Sequence, residues 1–163
     1  ASEICLLQKN FGGILGVEDA WLILRGMKTM GLRMEKSVIN AISLTKYLEQ
    51  HAKIKKVYYP HLESCKFYDI HTEQASSGGA VFSFEFFEQA DLKAFLKKIR
   101  IPIYAVSLGG VESIISHPAT MSHACMSEEE RLAQGVTQTL LRFSCGVEDT
   151  EDLIEDLEQA LAD

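Results

Sequence analysis

Two segments of the chain carry residues whose types and order suit binding chemistry. Ser107-Leu108-Gly109-Gly110 sets a hydroxyl and free backbone amides at the end of an apolar strand. Strand ends and glycine turns expose N–H groups, so this is a place to hold an anion, or else a plain turn. Arg142 is the only charge in Thr139-Leu140-Leu141-Arg142-Phe143-Ser144-Cys145, otherwise a buried-looking strand. A guanidinium there needs an anionic partner, because a desolvated, unpaired charge is costly. Its rigid fork suits a carboxylate gripped through two hydrogen bonds. That carboxylate could belong to a ligand or to the protein itself, Glu112 for instance, and residue types alone leave both readings standing. His117 and His123 flank the loop after Gly110, while His51, His61 and His71 recur every ten residues with no ligand spacing. Cys5, Cys65, Cys125 and Cys145 are far apart and form no CxxC, which leaves zinc and a redox dithiol unsupported. The chain holds no GxGxxG, no phosphate-binding GxxxxGK, no HExxH and no GxSxG.

The elements that must position these residues follow from hydrophobic periodicity. Asp19 is expected to cap a helix that opens on Ala20, Trp21, Leu22, Ile23 and Leu24. The helical pattern runs past Gly26 and Gly31 to about His51, and two glycines in so long a stretch predict a bend or two helices meeting near Gly31. A strand is expected over 54–59, stopped by Pro60, then a polar, irregular segment to Ser77. Alternating Phe82, Phe84 and Phe86 predict a strand over 80–87, and an amphipathic helix follows over 89–100. Further strands are expected over 101–106, 112–116 and 139–144. Ser127 and Glu130 form a possible capping box for a helix to about Ala133. Strands mixed with helices, without strict βαβ alternation, predict a sheet with helices largely on one face.

Composition sets the outer bounds. A chain of 163 residues, 47% hydrophobic and 24% charged, is long enough for one globular domain with a real core. That apolar content excludes intrinsic disorder, and no apolar run approaches the roughly 18 residues of a membrane span. The start shows neither a signal peptide nor an initiator Met, so the chain reads as a soluble piece of something longer. The net charge of −7 has the wrong sign for a nucleic-acid binder. Eight carboxylates lie after Arg142 with no Lys or Arg among them, interleaved with Leu153, Ile154, Leu157, Ala160 and Leu161 at helical spacing. They read as the solvated face of an amphipathic helix. Reduced cysteines in a cytosolic protein complete this picture.

Taken in order, several segments resemble a known family. Asp19-Ala20-Trp21-Leu22-Ile23-Leu24-Arg25-Gly26-Met27-Lys28-Thr29, then Arg33-Met34 and Asn40-Ala41, is similar to the DAWLxLRGxKT…RM…NA stretch of the Cys/Met-metabolism family. These are pyridoxal-phosphate (PLP) enzymes that include cystathionine lyases and synthases and methionine γ-lyase. Tyr59-Pro60, Gly78-Gly79, the run from Ser107 to Ser113, His117-Pro118-Ala119 and Met121-Ser122-His123 recur in the family's order. So do Glu130-Arg131, Gly135 and the run from Leu141 to Asp149.

The resemblance implies an α/β (α+β sandwich) fold, the C-terminal small domain of fold type I PLP enzymes preceded by a long connecting helix. Residues 1–31 would end the large domain, and 32–163 would form the connecting helix and the small domain. PLP would be bound mainly by the preceding domain, with the Schiff-base lysine before Ala1 and the piece alone inactive. Lys46 sits in Ser43-Leu44-Thr45-Lys46-Tyr47, a superficial match to the family's S-x-T-K-Y lysine motif. Gln50 stands where that motif has Gly, and the flanking segments place Lys46 on the helix after Arg33-Met34, so it is rejected. By the same resemblance, Ser107 and Arg142 would hold the α-carboxylate of a sulfur amino acid, with Leu108 also in the substrate site and Ser122 facing the active site. Val106 would sort subfamilies, an apolar residue there resembling bacterial β-lyases and methionine γ-lyases. The implied enzyme is a cytoplasmic, homotetrameric cystathionine β-lyase of methionine biosynthesis and transsulfuration. A γ-synthase, γ-lyase or methionine γ-lyase is the alternative within the family, and a non-catalytic binding or oligomerisation module the alternative outside it. Val17, His61 and Ser64-Cys65-Lys66-Phe67 depart from the family's pattern in surface-like segments.

Overall fold

The computed structural model describes residues 2–162. Helices α1 (Ser2–Phe11) and α2 (Val17–Met27) precede the 20-residue α3 (Met30–Glu49). Then come β1 (Ile54–Tyr58), α4 (Tyr68–Gln74), β2 (Val81–Phe86), α5 (Gln89–Lys98), β3 (Ile103–Tyr104) and β4 (Ile114–Ser116). One turn of 3-10 helix (Pro118–Thr120), α6 (Glu128–Ala133), β5 (Leu140–Ser144) and α7 (Thr150–Leu161) complete the chain. The described residues fall into two compact units, one ending at Leu32 and the other starting at Arg33. In the first, no residue of α1 or α2 is buried, and Trp21, Leu22, Ile23 and Leu24 are all exposed. No described helix is long and apolar enough to cross a membrane.

The second unit is built on a five-stranded sheet of order β1-β2-β5-β4-β3. All pairings are antiparallel except that of β3 with β4. Because side chains alternate across a strand, Phe82, Phe84 and Phe86 share one face of β2, and Leu141 and Phe143 share one face of β5. Phe82 and Phe143 stack with ring centroids 5.2 Å apart. Ala41, Leu44 and Leu48 of α3, Leu92 and Phe95 of α5, and Leu153, Leu157, Ala160 and Leu161 of α7 close over that face. Burying a side chain of this size contributes about 1.5–3 kcal/mol, so the contact of this helix layer with the sheet is a large source of the unit's stability. Helices on one face of a mixed sheet is the architecture expected from the sequence.

Local chemistry explains the boundaries. Asp149 caps α7, its Oδ1 accepting from the Glu151 amide at 2.9 Å. The expected capping box of α6 is present: Ser127 Oγ accepts from the Glu130 amide and Glu130 Oε2 accepts from the Ser127 amide. Tyr59 lies edge-on to Phe82 and donates to the Gly79 carbonyl at 2.9 Å. A Cβ on Gly78 would come within 2.4 Å of its ring, so the two segments meet only because residue 78 is glycine.

The two helices expected to meet near Gly31 do so at Lys28-Thr29, with Gly31 just inside α3. Three expectations need correction. Asp19 is not a cap: α2 begins at Val17 with an extended Gly16 before it, and Asp19 joins Glu18 in the first turn, where the helix dipole favours acids. The segment 61–77 is not wholly irregular, because it holds α4, whose residues are all unburied and so leave no apolar stripe to read. β3 covers two residues rather than six. The amides of Arg100 and Ile101 turn instead to the buried Asp156 carboxylate, and Pro102 has no N–H to give a ladder.

Candidate functional site

The last strand in sequence is the middle strand in space. β5 lies between β2 and β4, and Arg142 stands level with Ser83 on one side and Ser116 on the other. Leu141 and Phe143 point into the helix-covered core, so Arg142 projects from the opposite face. That row of small hydroxyl residues leaves room for the long side chain to lie across the sheet. Arg142 is half-buried, and its Nη2 donates to the Ser107 carbonyl at 2.6 Å on the exposed side. Its Nε is buried and makes no hydrogen bond. No described carboxylate forms an ion pair with it. In particular Glu112 is not its partner: Glu112 is exposed, and its carboxyl group lies over Gly110. The internal ion pair left open by the sequence is therefore not formed.

The other half of the site is a strained turn. Ser107 has φ of +108°, the one non-glycine residue with positive φ among the described residues. Such a conformation costs on the order of 1–3 kcal/mol and persists only where the surroundings impose it. The amides of Ser107 and Leu108 donate no hydrogen bond among the described residues. They are free donors next to a guanidinium with an unused N–H. Val106 and Leu108 are exposed on either side, Val106 by 61%.

Ser107, Leu108 and Arg142 are thus brought together by the fold, and Ser122 is not joined to them. Ser122 is exposed, and its Oγ lies 2.8 Å from Nδ1 of His123. His117 is a core residue: Nε2 is 3.0 Å from the Gln138 carbonyl, so that nitrogen carries the proton, and Nδ1 faces Thr120 Oγ1 at 2.9 Å. Burial, together with the charge of Arg131, holds its pKa below the usual histidine value.

The sequence reading missed the residues that hold the turn. Ser144 Oγ accepts from the Gly109 amide at 2.9 Å. Its signal was available, because Ser144 is two residues beyond Arg142 and therefore on the same face of the strand. Ser113, Gly146 and Glu148 also grip this region, and nothing local in the sequence announces that contact.

The sequence profile of the family described as Cys/Met metabolism PLP-dependent enzyme matches residues 1–162. This chain belongs to that family. It is 47% identical over 159 residues to cystathionine beta-lyase MetC of Bacillus subtilis, covering 98% of this chain and 41% of that protein. It is 42% identical over 159 residues to the cystathionine gamma-lyase of the same organism, covering 98% of this chain and 42% of that one. Among solved structures, cystathionine gamma synthase from Xanthomonas oryzae in complex with cystathionine superposes with a TM-score of 0.84 at 41% identity. That superposition covers 88% of this chain and 37% of the synthase. The chain therefore spans about two fifths of the length of the curated relatives it matches.

Membership in a PLP-dependent family raises the question of whether the residues present fit the cofactor. They do not fit it by themselves. None of the described lysines is buried, and Lys46 is exposed on α3, so none sits in the enclosed surroundings that imine chemistry calls for.

Proposed function

We propose that this chain supplies the substrate-carboxylate site of a PLP-dependent carbon–sulfur lyase. The observation that carries the reading is Arg142: a half-buried arginine in mid-sheet with an Nε that makes no hydrogen bond, no carboxylate partner among the described residues, and two unused backbone amides beside it. A charge in that position is costly to the fold unless an anion completes it. The Ser107 carbonyl holds one corner of the fork, and the remaining Nη N–H groups would grip an α-carboxylate. The Ser107 and Leu108 amides would bind the second carboxylate oxygen, as a nest of N–H groups does. Gripping both carboxylate oxygens fixes the position and plane of the carboxylate, which anchors one end of the substrate. Exposed Val106 and Leu108 offer apolar surface to a thioether side chain. Ser122 would face the same substrate from its loop. The Schiff-base lysine and most of the PLP site are assigned to residues outside this chain, so the chain alone is expected to be inactive.

The reaction we assign to the whole protein is β-elimination, in which cystathionine and water give homocysteine, pyruvate and ammonia. The likeness to a cystathionine beta-lyase and the apolar Val106 favour it. γ-Elimination or γ-replacement is the second reading, favoured by the likeness to a cystathionine gamma-lyase. Product analysis with cystathionine separates the two. A cytoplasmic homotetramer belongs to the same proposal. A purely non-catalytic module would need neither a strained Ser107 nor an unpaired Arg142.

The test is Arg142→Ala in the full-length enzyme. Charged hydrogen bonds contribute about 1.5–3 kcal/mol each, so KM for cystathionine should rise by tenfold or more, to about 100-fold. An unchanged KM removes the assignment.

A further inference from the structure

Ser107 does not hold its strained conformation alone, and its supports converge on one side chain. The segment that follows β5 grips the turn at several points. Ser144 Oγ takes the Gly109 amide at 2.9 Å, and the Val147 amide donates to the Val111 carbonyl at 2.8 Å. The Glu148 carboxylate then closes the far end. Its Oε1 accepts from the Ser113 amide at 2.5 Å, and its Oε2 accepts from Ser113 Oγ at 2.8 Å. Ser113 Oγ in turn accepts from the Gly146 amide at 2.9 Å. The two backbones lie so close that a Cβ on Gly146 would meet the Val111 carbonyl oxygen at 2.3 Å.

The same segment is tied to the helix layer. Asn40 of α3 is fully buried, and its Nδ2 donates to the carbonyls of Gly146 and Glu148 at 3.1 and 3.0 Å. Its Oδ1 accepts from Thr150 Oγ1 at 2.6 Å. Glu148 therefore stands between a fixed helix and the turn that carries Ser107 and Leu108. It also lies on the chain segment that continues from Arg142. A carboxylate accepting two hydrogen bonds from one serine, with no ion-pair partner among the described residues, is an unusual expense of charge for simple loop closure.

We infer that Glu148 is a positioning residue for the substrate carboxylate, acting through Ser113 to hold the Ser107–Leu108 amides at their distance from Arg142. The inference rests on the carboxylate reading of Arg142 and extends it to a residue that does not touch substrate. A turn already held in its binding conformation loses little freedom when the substrate arrives, so loosening this clamp should weaken substrate capture.

The experiment is a double-mutant cycle in the full-length, cofactor-loaded enzyme, reading KM and kcat for cystathionine separately. Glu148→Ala should raise KM by about tenfold with kcat within about threefold, since its effect is on ground-state binding. Glu148→Gln keeps one acceptor for the Ser113 amide and should raise KM by about threefold; it also decides the matter if Glu148→Ala does not fold. Arg142→Ala/Glu148→Ala should raise KM by less than the product of the two single effects, because both residues serve one bound carboxylate. If Arg142→Ala raises KM but the Glu148 variants leave it unchanged, lower kcat alone, or multiply independently with Arg142→Ala, the inference falls and the carboxylate reading survives. If Arg142→Ala itself leaves KM unchanged, the carboxylate reading falls and takes the inference with it.

Discussion

Replacing Gly146 by Ala tests the packing on which the whole site depends. The added methyl would sit 2.3 Å from the Val111 carbonyl oxygen, 2.5 Å from the Glu112 carbonyl carbon and 2.5 Å from Glu148 Oε2. Ordinary van der Waals contact begins at 3.4 Å, so the two backbones must part by about 1 Å. Two of the three obstacles are backbone atoms, and the third is held by Ser113, so no side chain can simply rotate away. Overpacking of this kind costs about 1–3 kcal/mol, and here the shift also lengthens the Ser113 Oγ bond to the Gly146 amide. We expect a loss of about 2–3 kcal/mol, which lowers Tm by roughly 5–10 °C in a chain of this size. Near-UV circular dichroism should follow the transition through the buried aromatic residues rather than Trp21, which lies in the other compact unit. Gly135→Ala is the control: φ is +76° there but nothing lies within 4 Å of the new methyl, so only backbone strain of about 1 kcal/mol applies. A Gly146→Ala variant no less stable than Gly135→Ala would refute the claim that the two backbones are in close contact.

Two further outcomes follow from buried polar groups. His117 has a folded pKa below its unfolded value, so the unfolded chain takes up the proton first, and its contribution is complete above about pH 6.5 and declines as pH falls below that. His51 is shifted the same way, by burial and then by Lys53. Urea titrations from pH 7.5 to 5 should show the decline, and His117→Gln, which can still donate to Gln138 and accept from Thr120, should make it shallower; an identical slope in the variant would remove His117 from the account. Asp156→Ala should cost about 2–4 kcal/mol, because it strands the amides of Arg100 and Ile101, which the Asp156 carboxylate now caps. Denaturant midpoints measure this directly, and a change below about 0.5 kcal/mol would mean that water replaces the carboxylate.

Much of the architecture was legible because it is written in period. Phe82, Phe84 and Phe86 announce β2, Leu153 to Leu161 announce the buried face of α7, and Ser127 with Glu130 announces the start of α6. Where the apolar stripe is missing, the reading failed: α4 buries nothing and was expected as irregular chain. The 101–106 strand failed for a different reason. Ile101 and Ile103 look like ladder residues, yet a carboxylate 55 residues away in sequence takes the Ile101 amide first.

For the site, residue chemistry by itself singled out Arg142 as a charge in need of an anion and Ser107-Leu108-Gly109-Gly110 as a source of free amides. The ordered motifs singled out the family. Sequence left undecided whether Arg142 is satisfied internally, because ion pairing depends on distances that residue types do not contain. Tertiary structure decided it by turning Glu112 outward and setting the Ser107 carbonyl against Nη2. It also decided the conformation of Ser107. No local propensity puts a serine at φ of +108°; the contacts on either side of the turn, from Gly109 to Ser144 and from Ser113 to Gly146 and Glu148, join segments more than 30 residues apart. Periodicity and residue type act within a few positions along the chain, whereas a strained turn beside an unpaired guanidinium exists only once distant segments have packed.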